Sequence, residues 1–153
     1  MLGRLYEEQA CSVARSLEVV GERWTLLVVR DAFLGIRRFE DFQRSLGIAR
    51  NVLATRLGRL VDEGVLERVA YQERPQRFEY RLTEKGLGLW PVIVGLVRWG
   101  DEHYPEDAGP PRLLEHRGCG GAVTVHLTCD RCGAELGPRD AVSRPGPGAL
   151  QPT

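Results

Sequence analysis

Hydrophobic positions in the first sixty residues repeat at helical spacing. Apolar side chains three or four positions apart predict helices over 10–20, 22–34, 38–46 and 49–63. A glycine follows each of the first three, as is common at helix ends. The fourth helix has an apolar stripe of Leu53, Leu57, Leu60 and Val61, which is the pattern of a helix packed on a core. Because its other face is basic and it follows a short turn at Gly47, we predict a helix-turn-helix.

After Gly64 the hydrophobic period changes from 3.6 to 2. Residues 65–70 and 77–83 alternate between apolar and polar side chains, which predicts a β-hairpin with a charged, proline-containing tip at about 71–77. A hairpin directly after a basic helix is a wing. Arg74 and Arg77 at its tip could reach a minor groove or phosphates, although an ordinary solvated turn is the alternative.

A further helix is predicted from Thr83 to about Gly100, with a kink at Pro91. Between Leu87 and Trp99 this helix is apolar on nearly every side. One small domain cannot cover all of that surface, so the expected cover is the same helix of a second copy. The alternative is burial against the first helices of the same chain.

The predicted fold class is mainly α with a small β-hairpin wing, followed by a small β appendage at the C-terminus. We predict a winged helix-turn-helix domain over 1–104, a linker over 105–111, the appendage over 112–137 and a disordered tail over 138–153 that is rich in proline and glycine.

The fourth helix is basic in a chain that is neutral as a whole, with 21 basic and 21 acidic residues. A generally basic, nonspecific nucleic-acid coat is therefore excluded. Four arginines and no acid occur between positions 44 and 61. Arginine matches guanine and phosphate, and asparagine matches adenine. The residues predicted to face the major groove are Arg50, Asn51, Thr55 and Arg59. Those predicted to hold phosphates are Arg44 and Arg56. The alternative is a solvated surface helix.

Other classes of protein are disfavoured. No apolar run approaches the roughly 20 residues of a membrane helix, and the N-terminus lacks the apolar core of a signal peptide. We therefore expect a cytoplasmic protein whose four cysteines do not form structural disulfides. Neither a phosphate-binding glycine loop nor a nucleophile elbow occurs in the sequence, so no enzyme is expected.

Between residues 11 and 101 the sequence resembles the HxlR-type transcriptional regulators, a winged-helix family near the MarR regulators. The resemblance rests on the segments Cys11–Leu17, Gly21–Trp24, Arg38–Phe42, Ile48–Leu53, Arg56–Leu57, Gly64–Arg68 and Glu79–Gly86. It implies a homodimer, with the first and last helices at the interface, that binds operator DNA and represses or activates transcription. Two departures, Ala49 where the family often has serine and Gly58 within the helix, each weaken the helix by about 1 kcal/mol.

In some members of the resembled family, the cysteine at the position of Cys11 is a redox sensor. The start of a helix favours the reactive thiolate form of a cysteine in general. The alternative is that Cys11 is a small buried apolar residue.

The remaining three cysteines cluster near the C-terminus. His116-x2-Cys119-Gly and Cys129-x2-Cys132-Gly flank a segment, 122–128, that alternates like a short strand. The pattern resembles a zinc ribbon holding one tetrahedral Zn²⁺ by three cysteines and a histidine. About 25 residues have too little core to fold without a metal, so the predicted zinc is structural. His126 could replace His116, and the alternative is a loose tail that binds no metal.

Two other functions stay open. One is a winged-helix module that binds proteins, with the ribbon as a docking element. The other is a regulator in which the thiols or the zinc act as the sensor. A zinc deaminase is disfavoured, because no histidine is followed by glutamate two residues later and Thr128, rather than proline, precedes Cys129.

Overall fold

The computed structural model describes Tyr6, Glu8 and residues 11–149 of the chain. This part of the chain contains six helices and one two-stranded sheet. In chain order they are α1 (Ser12–Val20), α2 (Thr25–Phe33), α3 (Phe39–Leu46), α4 (Arg50–Asp62), β1 (Leu66–Glu73), β2 (Gln76–Leu82), α5 (Glu84–Leu87) and α6 (Trp90–His103). Ala10, the predicted start of the first helix, and residues 150–153 of the predicted disordered tail lie outside the described residues. The chain divides into two compact units, 1–90 and 91–153.

The core of the first unit lies where α2, α3, α4 and β1 meet. The largest fully buried apolar side chains are Phe42, Leu53, Leu57, Leu60, Leu66, Val28, Val29 and Val65. Three of the four predicted stripe residues of α4 are thus inside, which confirms that this helix packs by its apolar face. Burying a side chain of this size stabilises the fold by about 1.5–3 kcal/mol.

The hairpin predicted after α4 is confirmed. β1 and β2 pair antiparallel, with Leu66 opposite Leu82 at the base and Glu73 opposite Gln76 at the tip. The backbone before α3 adds to this sheet, because Tyr80 N–H donates a 2.7 Å hydrogen bond to the carbonyl of Arg37. The wing is therefore tied through β2 to the backbone just before α3.

The base of the hairpin is closed by the first turn after β2. The Thr83 hydroxyl accepts a 3.1 Å hydrogen bond from Gly86 N–H, which caps α5. Gly86 is buried, and a Cβ built on it would lie 2.2 Å from the carbonyl oxygen of Val65. This close approach explains why the position needs glycine.

The single kinked helix predicted after Thr83 is wrong, because two helices form there. The short α5 ends at Gly88, and α6 begins at Trp90. Pro91 is the second residue of α6. In the first turn a missing N–H breaks no intrahelical hydrogen bond, so proline starts this helix and does not kink it.

One side of α6 is buried and another is open. Ile93 and Val94 are buried, whereas Val92, Leu96 and Trp99 are 45%, 50% and 55% exposed. The open residues are spaced four and three positions apart and so share one face. None of the helices in the described part of the chain is long and apolar enough to cross a bilayer.

The C-terminal region is built from turns. The strand predicted over 122–128 does not form; only two isolated bridges occur, Glu115 with Ala122 and Thr128 with Glu135. Within the described range 104–149 no residue is buried. A strand needs a neighbour along its length, and here each end of the segment pairs with a different turn.

Candidate nucleic-acid interface and cysteine-rich turns

The turn before α4 and the helix itself present a narrow polar face. Gly47 has a φ of 61°, a left-handed conformation that glycine adopts without strain and that ends α3 sharply. With Leu53, Leu57 and Leu60 buried, the exposed stripe along the first turns of α4 is Arg50, Asn51, Ala54, Thr55 and Gly58. The stripe contains no acid, and its two largest side chains lie at the N-terminal end. In a helix-turn-helix, this end contacts base edges.

Arg50 has no ion-pair partner among the residues that the structure describes. Its guanidinium lies 4.7 Å from the ring centroid of Phe39, at the start of α3. This cation–π contact orients the side chain but leaves its charge available to a ligand. Thr55 donates a 2.9 Å hydrogen bond to the carbonyl of Asn51, and its hydroxyl can still accept one.

Arg44, in the last turn of α3, is strongly exposed, with 77% of its side chain open to solvent. It pairs with Asp41 one turn earlier, at 3.0 Å. Exposed pairs of this kind contribute about 0–1 kcal/mol. A phosphate can therefore compete with Asp41 for this side chain.

The other two arginines of α4 form ion pairs with acidic residues of the same chain. Arg56 is 3.4 Å from Glu22, and its side chain is 21% exposed. Arg59 is 3.1 Å from Glu63 and also donates a 3.3 Å hydrogen bond to the carbonyl of Glu18 in α1. The sequence predicted Arg59 in the major groove, but the structure places it against α1. Positions 56 and 59 flank the buried stripe, so their long side chains reach neighbouring elements.

The wing carries two further open arginines. Arg74 and Arg77, at the hairpin tip, are exposed and form no ion pair within the described residues. Gln72 donates a 3.1 Å hydrogen bond from its side-chain amide to the carbonyl of Arg74, which braces the tip. The structure therefore leaves three of the predicted DNA-contacting arginines free of acids: Arg50, Arg74 and Arg77.

Arg37, just before α3, is one exposed arginine that the sequence analysis did not single out. Its carbonyl accepts the hydrogen bond from β2 described above, so its position at the edge of the sheet is defined. The sequence signal was present as an Arg37–Arg38 pair between two helices. The neighbouring Arg38 has partners in the same chain: its Nε lies 3.8 Å from a carboxylate oxygen of Glu79, and its guanidinium carbon lies 4.5 Å from the ring centroid of Tyr71.

Cys11 lies at the start of α1 and is exposed. Its carbonyl accepts a 3.0 Å hydrogen bond from Arg15 N–H, the first of the helix. Within the single chain, Cys11 is therefore not the small buried apolar residue of the alternative. The thiol is open to solvent and to dissolved reactants.

The first cysteine-rich turn runs from His116 to Gly121. His116 N–H donates to the carbonyl of Gly121 at 2.7 Å, and Gly120 N–H donates back to the carbonyl of His116 at 2.7 Å. Gly120 has a φ of +74°. The turn places Nδ1 of His116 3.2 Å from Sγ of Cys119. His126, the alternative to His116 as a ligand, instead lies 2.7 Å from a carboxylate oxygen of Glu135.

The second turn runs from Cys129 to Ala134. Cys129 N–H donates to the carbonyl of Ala134 at 2.9 Å, and Gly133 N–H donates back to the carbonyl of Cys129 at 2.9 Å. Gly133 has a φ of +73°. Hydrogen bonds from the backbone N–H groups of Cys132 and Arg131, and from the Cys132 side chain, lower the pKa of the Cys129 thiol below its usual value. These bonds stabilise the thiolate, the form that binds metals and attacks disulfides.

Each turn brings together one pair of donor atoms, but the two pairs stay apart. No three of the His, Cys, Asp and Glu side chains in the described part of the chain converge on a point that could hold a metal ion. The four residues predicted as zinc ligands, His116, Cys119, Cys129 and Cys132, are thus arranged as two halves. Zinc binding stays a prediction.

Comparison with known proteins places residues 19–108 in the HxlR-like helix-turn-helix family. An uncharacterized HTH-type transcriptional regulator of Mycobacterium tuberculosis is 50% identical over 137 residues, which cover 90% of this chain and 87% of that protein. An uncharacterized HTH-type transcriptional regulator of Bacillus subtilis is 31% identical over 96 residues, covering 62% of this chain and 75% of that protein.

Solved structures agree with the sequence relatives. The crystal structure of PA1607, described as a candidate transcription factor, matches with a TM-score of 0.79 and 41% identity, covering 88% of this chain and 95% of that chain. The redox regulator HypR in its oxidized form matches with a TM-score of 0.58 and 30% identity, covering 63% of this chain and all of that chain, 100%. The Mycobacterium and PA1607 matches cover 90% and 88% of this chain. Even if they began at the first residue, they would continue past residue 108, where the family match ends, into the cysteine-rich region.

Proposed function

Because the chain belongs to the HxlR-like helix-turn-helix family of transcriptional regulators, we propose that it binds operator DNA through α4 and the wing as a homodimer. In this arrangement the N-terminal end of α4 enters the major groove, and the hairpin tip contacts the adjacent minor groove or the phosphates. The observation that carries the proposal is the exposed stripe of the first turns of α4, residues 50–58, which contains no acid and has Arg50 and Asn51 at its N-terminal end.

Individual roles follow from which side chains are free. Arg50 and Asn51 would read base edges, since their planar groups match guanine and adenine. Thr55 and Arg44 would contact the backbone or neighbouring bases, and the wing would supply its two open arginines. Arg56 and Arg59 would hold α4 in place through their acids and touch DNA only if those ion pairs opened.

A homodimer would cover the apolar surface that α6 leaves open. Val92, Leu96 and Trp99 share one face and are each about half exposed. Separately, α1 exposes Val13 and Leu17, at 65% and 44%. A second copy of the chain matches such surfaces by symmetry, since a two-fold axis apposes identical patches. The two recognition helices would then address half-sites about one helical turn apart.

The salt dependence of DNA binding tests the proposal against a protein-binding module. Arg44, Arg74 and Arg77 are the arginines assigned to the backbone, so the two protomers of a dimer together would neutralise about six phosphates. This predicts a slope of log K against log salt near −5. The measurement is fluorescence anisotropy with a duplex selected by the protein from a random library.

A wing variant tests whether the hairpin tip contributes to the salt dependence of DNA binding. Arg77→Ala removes two charges from the dimer and should make the slope shallower by about 2 units. Arg81→Ala is the control, because Arg81 lies on the same strand and already pairs with Glu79 at 3.0 Å. A slope near zero for the native protein would contradict the proposal and favour the protein-binding module.

A response to oxidants is the second function we propose, and the exposed thiol at the start of α1 supports it. An exposed Cys11 can be oxidised without any opening of the fold. Hydrogen peroxide should change the operator affinity of the native protein by about 5- to 150-fold, the usual range of coupling between two sites. Cys11→Ser should bind DNA like the reduced native protein and ignore peroxide. An equal response in both proteins would assign the sensitivity to the other three thiols.

A further inference from the structure

The two cysteine-rich turns have the same backbone structure. Each position of the second turn lies thirteen residues after its counterpart in the first. Both turns close with the same pair of backbone hydrogen bonds, both have a glycine with φ near +73° directly after the second donor residue, and both rest on one isolated bridge. A matched hydrogen bond also lies below each bridge: Val123 N–H donates to Leu114 and Leu136 N–H to Leu127, both at 2.8 Å.

This duplicated geometry occurs in a region without a hydrophobic core. None of the described residues from 104 to 149 is buried. Ordering a residue costs about 1–2 kcal/mol of backbone entropy, and apolar burial does not offset that cost here. Segments of this size usually depend on a metal or on disulfides. The four cysteines are free thiols, so the disulfide option is not used.

From these observations we infer that the two turns together form a structural zinc site, with His116, Cys119, Cys129 and Cys132 as its four ligands. Each turn supplies two donors on one side of a tight loop, which is half of a tetrahedral set. The distance between Nδ1 of His116 and Sγ of Cys119 is 3.2 Å, close to the separation of about 3.6 Å that two such ligands have on one tetrahedral zinc.

The two halves are linked by a segment that can bring them together. Residues 123–127 form no regular structure and are flanked by the two bridging residues, Ala122 and Thr128. Three thiolates repel one another unless a cation neutralises them. The two pairs would therefore converge only as the ion binds, and metal binding and ordering of the extension would be one event.

His116 is the better histidine ligand. His126 lies three residues before Cys129, so spacing alone leaves it open, but its ring pairs with Glu135 at 2.7 Å. His116 is within its own turn and beside its own cysteine. The ligand set is thus three cysteines and one histidine, which leaves no open position for substrate and marks a structural site.

The test measures the metal content of the full-length protein by mass spectrometry after dialysis against a mild chelator. The native chain should retain close to one zinc ion, while Cys119→Ser and Cys132→Ser should each retain less than about a tenth of that amount. Cys11→Ser and His126→Ala are the matched controls, since each removes the same type of side chain outside the site. Both controls should keep the native metal content.

Cobalt gives a second readout that does not depend on retention. Co²⁺ bound by three thiolates and an imidazole in a tetrahedron shows a strong visible absorption, and coordination geometry is diagnostic. His116→Ala should weaken this band, whereas His126→Ala should not. The inference is overturned if the native protein, incubated with Zn²⁺ under reducing conditions, holds no metal after dialysis. It is also overturned if Cys132→Ser holds as much metal as the native chain.

Measuring DNA binding of the zinc-free protein tests the zinc site separately from the proposed function. The winged helix-turn-helix core lies within residues that the family covers without the extension, since the HypR match spans that protein completely while covering 63% of this chain. Zinc-free protein should therefore keep a folded first unit, seen as native helical content by circular dichroism. Loss of metal with retained DNA binding supports a structural role confined to the extension.

Discussion

Replacing Arg50 with alanine is expected to raise the dissociation constant for operator DNA by about 30-fold to about 10⁴-fold. A bidentate arginine–base contact contributes about 1–3 kcal/mol, and the proposed homodimer would lose it twice. Arg50 is suited to this role because its guanidinium is oriented by Phe39 at 4.7 Å and no acid in the described part of the chain neutralises it.

The control for this variant is Arg144→Ala, which makes the same change of charge at an exposed position in the tail. It should bind operator DNA like the native protein. Arg59→Ala should act differently from both, because Arg59 bonds to α1 and to Glu63; its main effect should be a lower free energy of unfolding. Equal losses of affinity for Arg50→Ala and Arg144→Ala, measured by anisotropy at one salt concentration, would contradict the placement of α4 in the groove.

If the proposed homodimer forms through α6, Leu96→Glu is expected to convert it into a monomer and to weaken operator binding by more than about 100-fold. Leu96 lies in the middle of the open face of α6 and is 50% exposed. A carboxylate there would lose its hydration in the interface without gaining a partner, which costs several kcal/mol. A monomer reaches only one half-site, so it also loses the second set of DNA contacts.

Light scattering coupled to size exclusion reports the mass directly. Leu34→Glu serves as the control, because Leu34 is a leucine of similar exposure, 43%, at the end of α2. It should leave the mass of the particle unchanged. A native protein that elutes as a monomer, or a Leu96→Glu variant that stays dimeric, would show that the open face of α6 does not form the interface.

Local patterns predicted the helices of the first unit well because their buried residues recur at helical spacing. The leucine spacing of α4 follows from the requirement that apolar side chains point to one core, whereas the hairpin forms as predicted although its burial does not alternate strictly along either strand. Those elements form where the periodicity placed them. The HxlR-type assignment also came from residues such as Gly86, whose role the structure explains, because a Cβ at this position would lie 2.2 Å from the carbonyl oxygen of Val65.

The break between α5 and α6 shows where pattern reasoning fails. Apolar residues continue without interruption from Leu87 to Trp99, so periodicity alone favoured one helix with a kink at Pro91. Gly88 ends the first helix, and Pro91 is tolerated because it stands in the first turn of the second. The exact start of a helix depends on its caps, which hydrophobic spacing does not report.

Charge compensation was missed because the acids were counted only inside the window; two of the partners lie just beyond its ends, three and four residues from their arginines. The window from Arg44 to Val61 contains four arginines and no acid, yet three of the four have acidic partners in the fold: Asp41, Glu22 and Glu63. Each partner lies outside the window. Counting charges by sequence segment therefore overstated the free positive charge around α4. Of the four arginines in the window, only Arg50 has no acidic partner in the described part of the chain.

By itself, the sequence determined which faces are apolar, where the turns fall and which family the chain resembles, because these depend on spacing along one element. Only the tertiary structure decided which arginines remain free, that Cys11 is exposed and that the two cysteine-rich turns share one geometry. The first of these depends in part on contacts between residues far apart in the chain, such as Arg56 with Glu22 and Arg59 with Glu18, and the others depend on backbone and side-chain geometry that spacing does not report. Side-chain spacing within an element carries no record of what the folded chain brings against it.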